Sequence, residues 1–454
     1  MSFGAAGSED LAYAMGRITA LEGRAMGIHM TYAPVVDVNI DPDNPIINTR
    51  AVGADPALVS RIANAFIRGV QENGMIATAK HFPGHGDTSQ DSHSLMPTIE
   101  AGLERLEKVE LYPFQSAVDA GVRAVMSAHL AVPALDPTPG LPATLSAPIM
   151  TGLLRQKMGF RGLIVTDALE MAGVTRSFST EEAALKAVQA GVDQLLLPPD
   201  PAKVIAYLAA AVRDGRISAA RIDQSVRRIL EVKASLGLDR EPVRPDRRAR
   251  TPHRLEGLSR SGRQGLRELR DPGQERGLRP AASQAAAPRK ISRPLLEQRS
   301  RRLFRRTGLR RRHEEGAFPA ADTFYADGDT GREALEEAFT RASAADTVVI
   351  ALFSRLSDGK GTVGLQPGHV ELVRRLAAAA DGPAVVAVSF GSPYLLRHMP
   401  EVDAYLCLYR GTPEAQAVAA RAIAGEMDVS GRLPVSIPGL YPVGHGIELK
   451  RRTS

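Results

Sequence analysis

The sequence predicts an α/β protein: an incomplete TIM-type (β/α)8 barrel over residues 1–239, an Arg/Pro-rich stretch over 240–320, and a smaller α/β sandwich domain over 321–454. Three observations predict it. Short apolar runs alternate with amphipathic helical stretches from Asp10 to about Leu236, the pattern of repeated βα units around a parallel sheet. Polar and titratable side chains stand where those apolar runs end, as they do at the C-terminal mouth of a barrel. The chain, at 454 residues, exceeds what one hydrophobic core ordinarily organises.

In chain order, a helix is expected over Asp10–Met26 and strands over Met30–Val38, Ile76–Phe82, Val122–His129, Leu163–Asp167 and Val192–Leu197. Helices are expected over Pro56–Asn73, Gly102–Ala120, Ala147–Met158, Thr180–Ala190, Ala202–Asp214 and Ala219–Leu236, the last with Ser218 as N-cap. Five or six strands fall short of eight, so the barrel is expected to lack its first strands. Beyond about Phe324, strands over Ala345–Phe353, Pro383–Phe390 and Ala404–Tyr409 and helices over Gln366–Ala380 and Thr412–Gly425 make the second domain.

Composition narrows the function classes. No apolar run approaches the roughly 20 residues of a membrane helix, so no membrane partner is expected. The lone Cys407, within Tyr-Leu-Cys-Leu-Tyr, excludes an internal disulfide and reads as part of a buried strand. The start shows no basic and then apolar export signal, and the compartment, bacterial cytoplasm or export, stays open. The net charge of +6 invites a nucleic-acid reading, but its distribution argues otherwise. Arg244 to Arg312 holds 21 Arg and one Lys against six acids, a local +16 that leaves −10 for the remainder. Interspersed Pro and Leu there make neither a helix face nor a stacking platform, so the stretch reads as a linker or a segment in a shifted frame, and no nucleic-acid partner is expected.

Two segments carry chemistry. In Lys80-His81-Phe82-Pro83-Gly84-His85-Gly86-Asp87-Thr88-Ser89-Gln90-Asp91-Ser92-His93, an apolar strand delivers two polar side chains into a Pro/Gly-rich loop. The loop ends in an Asp-x-His pair. A carboxylate beside an imidazole fixes its tautomer and raises its pKa, which makes a proton donor near neutrality. The same pair is also half of a metal site, although no further His or Cys stands at ligand spacing to complete it. In Leu163-Ile164-Val165-Thr166-Asp167, an apolar strand ends in a carboxylate that would face a barrel mouth, or would simply cap the next helix. Asp37 and His129 also stand at strand ends, His129 in either a supporting or a purely structural role.

Together these segments resemble glycoside hydrolase family 3, in its NagZ-like N-acetylglucosaminidase branch. Lys80-His81-Phe82-Pro83-Gly84-x-Gly86 followed by Asp91-Ser92-His93 is similar to that branch's signature. Thr166-Asp167-Ala168-Leu169-x-Met171 resembles its nucleophile motif, Tyr32–Val38 its third barrel strand, and Ile46–Arg50 with Gly53-Ala54-Asp55-Pro56 its substrate-arginine segment. The resemblance implies retaining hydrolysis of terminal β-linked N-acetylglucosamine from a glycan or muropeptide, in a monomer with no cofactor and no metal. It implies Asp167 as nucleophile, His93 as general acid/base oriented by Asp91, and Lys80, His81 and Arg50 on the sugar. Phosphate in place of water, β-glucosidase activity, or an inactive sugar-binding barrel are the alternatives it leaves. Family members carry further strands and an Asp-rich, Gly-Gly turn ahead of the Asp10 helix, so a truncated, poorly soluble product is expected.

Overall fold

A computed structural model describes residues 1–88, 96–240, 281–282, 291–297, 322–354 and 364–452. These form two compact units. One runs from Ser8 through Arg240; the other joins Met1–Gly7 to the described residues from Ala281 onward. The short helix α1 (Ser2–Ala6), unforeseen in the sequence, belongs to the second unit, where the Ala5 carbonyl accepts the Arg432 N–H at 3.1 Å.

In the first unit α2 (Glu9–Ala25) starts at Ser8, whose hydroxyl accepts the Leu11 N–H at 3.3 Å, with Glu9 and Asp10 on the positive end of the helix dipole. Helix α3 (Pro56–Gln71) starts at Asp55, which accepts the Leu58 N–H at 2.6 Å ahead of Pro56. The two helices cross where both lack side chains. A Cβ on Gly16 would lie 2.3 Å from the Phe66 carbonyl oxygen, and one on Gly69 would lie 2.2 Å from that of Tyr13.

Strands β1 (Thr78–Phe82), β2 (Ala124–Ser127), β3 (Leu163–Ala168) and β4 (Gln194–Leu196) pair in sequence order, all parallel. The expected strand Met30–Val38 is present only as isolated bridges, Met30 to Ile76 and Val35 to Lys80. Pro34 explains the break, because it has no N–H to give a continuous ladder. The expected helix Gly102–Ala120 is two, α4 (Leu103–Lys108) and α5 (Tyr112–Asp119), with Pro113 opening the second. Residues Pro148–Lys157 wind as a π-helix, and α6 (Ala172–Thr175), α7 (Thr180–Ala190), α8 (Pro201–Arg213) and α9 (Ala219–Ser235) follow. Ser218 caps α9 as expected, accepting the Arg221 N–H at 3.2 Å.

The core between sheet and helices includes Ile67, Val70, Phe82, Phe114, Val125, Ile149, Leu154 and Ile164, with the Phe82 and Phe114 rings edge-to-face at 5.1 Å. Each large side chain so buried contributes about 2 to 3 kcal/mol. The buried carboxylate of Asp193 joins sheet to helices: it accepts from Ile164 N–H at 3.0 Å, Ser225 Oγ at 2.6 Å, Arg228 at 3.0 Å, and also Arg155. Four donors offset the cost of burying that charge.

The second unit is built on a sheet of order β5-β10-β9-β8-β6-β7. Its strands are β5 (Ala281–Ala282), β6 (Ile291–Glu297), β7 (Thr323–Ala326), β8 (Thr347–Phe353), β9 (Ala384–Ser389) and β10 (Ala404–Cys407), with α10 (Arg332–Ser343), α11 (Pro367–Ala378) and α12 (Pro413–Ile423). Only β5 is antiparallel to its neighbour. Strand β6, between β7 and β8, falls inside the stretch in which the sequence analysis expects no strand. Its proline, Pro294, is a residue that argues against a central strand, and this is why the pattern was illegible.

Candidate active site

The candidate site lies at the C-terminal ends of β1, β2 and β3, where a parallel sheet presents its loops. Asp37, fully buried, organises the end of β1. Its Oδ1 accepts the backbone N–H of His81 at 3.1 Å and of His85 at 2.8 Å, while its Oδ2 lies 2.7 Å from His81 Nδ1. On the far side of the ring, Arg50 Nη2 stands 3.3 Å from His81 Nε2. A guanidinium only donates, so Nε2 accepts and the ring proton sits on Nδ1, directed at Asp37. Arg50 is itself anchored by its Nη1 bond to the Ile46 carbonyl at 3.1 Å.

Lys80 is half-buried beside these groups. Burial and the Arg50 charge push its ammonium below the ordinary lysine value, against the opposing pull of Asp167 and Asp37. At the end of β3, Asp167 Oδ1 accepts the Ala168 N–H at 2.9 Å. Burial opposes ionisation of Asp167, yet His81, His129, the Ala168 N–H and Lys80 outweigh it and hold the carboxyl below the usual 3.8. The result is an ionised, partly desolvated carboxylate among cationic and hydrogen-bonding neighbours, the chemistry of a poised oxygen nucleophile. The arrangement thus brings together four of the six site residues expected from the sequence: Asp167, Lys80, His81 and Arg50. The other two, Asp91 and His93, lie outside the described residues.

The loop leading toward them is held at its base. Asn44 Nδ2 donates to the His85 carbonyl at 2.8 Å, and its Oδ1 accepts the N–H groups of Ile46 and Ile47 at 2.9 and 2.7 Å. One side chain therefore ties the segment bearing Arg50 to the loop after β1. Gly86 is obligatory there, since a Cβ would sit 1.8 Å from the Val38 carbonyl oxygen. Arg105 links Asp87 at 2.5 Å with the buried Glu110. His85 is 2% exposed, its Nδ1 2.9 Å from Thr88 Oγ1 and its ring 6.0 Å from that of His81. Burial pushes its pKa down to about 4. Sequence reasoning missed Asn44; the Asn-Pro turn signal at 44–45 was the available clue to it. Among the described residues no three His, Cys, Asp or Glu side chains come together to hold a metal ion, and no helix is long and apolar enough to cross a membrane.

The chain matches the glycosyl hydrolase family 3 N terminal domain over residues 1–232 and the glycosyl hydrolase family 3 C-terminal domain over residues 154–443, and it belongs to glycosyl hydrolase family 3. Its similarities within the family are to β-N-acetylglucosaminidases and β-hexosaminidases and, at lower identity, to a β-glucoside phosphorylase. It is 36% identical over 248 residues to a β-N-acetylglucosaminidase/β-glucosidase of Cellulomonas fimi, covering 53% of this chain and 44% of that protein. It is 39% identical over 200 residues to a β-hexosaminidase of Chromobacterium violaceum, covering 44% of this chain and 55% of that one. The chain thus spans about half the length of the curated relatives it matches. Among solved structures, a family 3 β-N-acetylglucosaminidase from Paenibacillus sp. str. FPU-7 superposes with a TM-score of 0.83 at 32% identity, over 96% of this chain and 82% of that one. The β-glucoside phosphorylase BglX superposes at 0.81 with 25% identity, over 97% and 80%.

Proposed function

We propose that this chain is a retaining β-N-acetylglucosaminidase that removes terminal β-linked N-acetylglucosamine through a covalent glycosyl-enzyme. The observation that carries the reading is the placement of Asp167: a half-buried carboxylate at the C-terminal end of β3, its Oδ1 held by the Ala168 N–H at 2.9 Å, in the same cluster as Lys80, His81 and Arg50. Asp167 attacks the anomeric carbon while His93, oriented by Asp91, protonates the departing oxygen; His93 then takes a proton from the water that hydrolyses the intermediate. Lys80, His81 and Arg50 hold the sugar hydroxyls. A hydroxyl bridging Arg50 Nη2 and His81 Nε2 would replace their 3.3 Å contact, donating to the imidazole and accepting from the guanidinium. The names of the Cellulomonas and Paenibacillus proteins support N-acetylglucosamine as the sugar, and that of the Chromobacterium protein, a β-hexosaminidase, is compatible with it.

The test is product analysis on a chromogenic β-N-acetylglucosaminide and on the matching β-glucoside, with and without inorganic phosphate. The reading predicts free N-acetylglucosamine as the principal product under both conditions and its loss in Asp167→Asn by at least ~10³-fold. Sugar 1-phosphate formed only with phosphate present would make the chain a phosphorylase, the activity named for BglX. Glucose released faster than N-acetylglucosamine would overturn the substrate assignment.

A further inference from the structure

Strand β3 does not run straight into β4. Its register with β4 slips between Val165 and Ala168, so the chain bulges at Thr166 and Asp167. A bulge re-aims the side chain it carries, at the expense of ladder bonds that something else must replace. Two side chains replace them here. Thr166 Oγ1 accepts the Leu196 N–H at 2.8 Å, a bond a backbone carbonyl would otherwise take. After the bulge, the peptide joining Ala168 to Leu169 is gripped at both ends: its N–H donates to the Leu196 carbonyl at 2.9 Å, and its C=O lies 3.0 Å from His129 Nε2.

His129 stands just beyond the end of β2 and is 1% exposed. Its other nitrogen, Nδ1, is 2.9 Å from Thr144 Oγ1, which is 2.8 Å from Ser127 Oγ; both hydroxyl residues are fully buried. A carbonyl only accepts, so the proton on Nε2 is fixed by Ala168. Thr144 Oγ1 also donates to the Ala128 carbonyl at 2.9 Å, so Ser127, Thr144 and that carbonyl together hold the Nδ1 side of the ring in place.

The geometry points to His129 as the positioning residue for the nucleophile: it latches the peptide that follows the bulge and so fixes the direction in which Asp167 presents its carboxylate. This rests on the reading of Asp167 as nucleophile and goes beyond it. The blander possibility is a core histidine whose polar atoms are merely satisfied. The two differ in what a substitute must do, since a latch needs only a donor at the Nε2 position whereas a core role needs the ring.

The experiment measures the rate of covalent labelling by a fluorinated N-acetylglucosaminide analogue, with kcat and KM on a chromogenic substrate, for the full chain and for His129→Gln, His129→Leu, Thr144→Val and Asp167→Asn. Misplacing a reacting group by about 1 Å costs on the order of 10²-fold. His129→Leu is accordingly expected to slow labelling and kcat by roughly 30- to 100-fold with KM within about 3-fold, and His129→Gln, which restores a donor, to recover to within about 5-fold of the parent. Should His129→Leu not fold, Thr144→Val carries the test, with slowed labelling at unchanged KM supporting the latch. Labelling at the parent rate in His129→Leu or Thr144→Val, or a His129→Gln variant as slow as His129→Leu, overturns it. Asp167→Asn separates the two claims: if it labels and turns over like the parent, the nucleophile assignment itself fails, whereas a dead Asp167→Asn beside unaffected latch variants removes only the latch.

Discussion

Asp37 shows how a single residue sets several others. Fully buried, it accepts from two backbone N–H groups and one imidazole, so it fixes the His81 tautomer and the start of the following loop together. His85, held beside it, is one residue through which pH acts on stability. Its pKa is pushed down to about 4 from the ordinary 6.5, so the unfolded chain takes up a proton in that window that the folded chain refuses. Stability contributed by this residue is therefore complete above about 6.5, falls as pH drops, and levels off below about 4. Urea unfolding at pH 7 and pH 5 is expected to show a loss of about 2 kcal/mol that shrinks in His85→Gln. An equal loss in the variant would contradict the assignment. Catalysis should sense a different group: Asp167 titrates below 3.8 and stays ionised across the working range, so an alkaline limb of kcat/KM belongs to the acid that protonates the leaving oxygen and should vanish with His93→Ala. Arg50→Ala, which removes the contact to His81, is expected to raise KM by about tenfold. The residue types at 80, 81 and 167 were legible because each ends an apolar run. Asn44 offered only its Asn-Pro turn signal, since its bond to the His85 carbonyl lies 41 residues on, and Thr144 offered none, because its partners His129, Ser127 and the Ala128 carbonyl form no local pattern.

At the scale of elements, the contact of α2 with α3 gives a sharp test. Gly in a helix interior normally costs about 1 kcal/mol relative to Ala, so Gly16→Ala in an isolated helix would stabilise. Here the added Cβ would lie 2.3 Å from the Phe66 carbonyl oxygen and 3.0 Å from the Val70 nitrogen, both backbone atoms that cannot step aside. Overpacking wins, and a net destabilisation of about 2 kcal/mol in urea unfolding is expected. A variant more stable than the parent would show that the helices do not cross at this point. Helices announced themselves through capping: Ser218 was read correctly as an N-cap because a small hydroxyl residue preceded an amphipathic run. Strand β6 and the break between α4 and α5 escaped for the opposite reason. Pro294 contradicts a central strand on local grounds, and the apolar period of residues 102–120 runs through a break that Pro113 and the inward turn of Glu110 impose.

For the whole molecule, the βα alternation of residues 10–236 and the polar strand ends placed the chain among α/β barrels, the resemblance carried by Lys80–His93 and Thr166–Met171 pointed to glycoside hydrolase family 3, and the family matches over residues 1–232 and 154–443 agree. The second unit has its own reporter in Cys407. Burial pushes this thiol up to about 12, so at pH 8 a thiol reagent is expected to label the folded chain at least ~100-fold more slowly than the chain in denaturant. Equal rates would mean that β10 is not held in its sheet. The central claim is that Asp167 forms a covalent bond to the sugar. Its most direct test is peptide mapping by mass spectrometry after incubation with a fluorinated β-N-acetylglucosaminide analogue. The account predicts a mass increase of one fluorinated N-acetylglucosaminyl unit on the peptide containing Leu163–Ala168, absent in Asp167→Asn. A label on any other carboxylate, or turnover of substrate with no labelled peptide at any time, would contradict it.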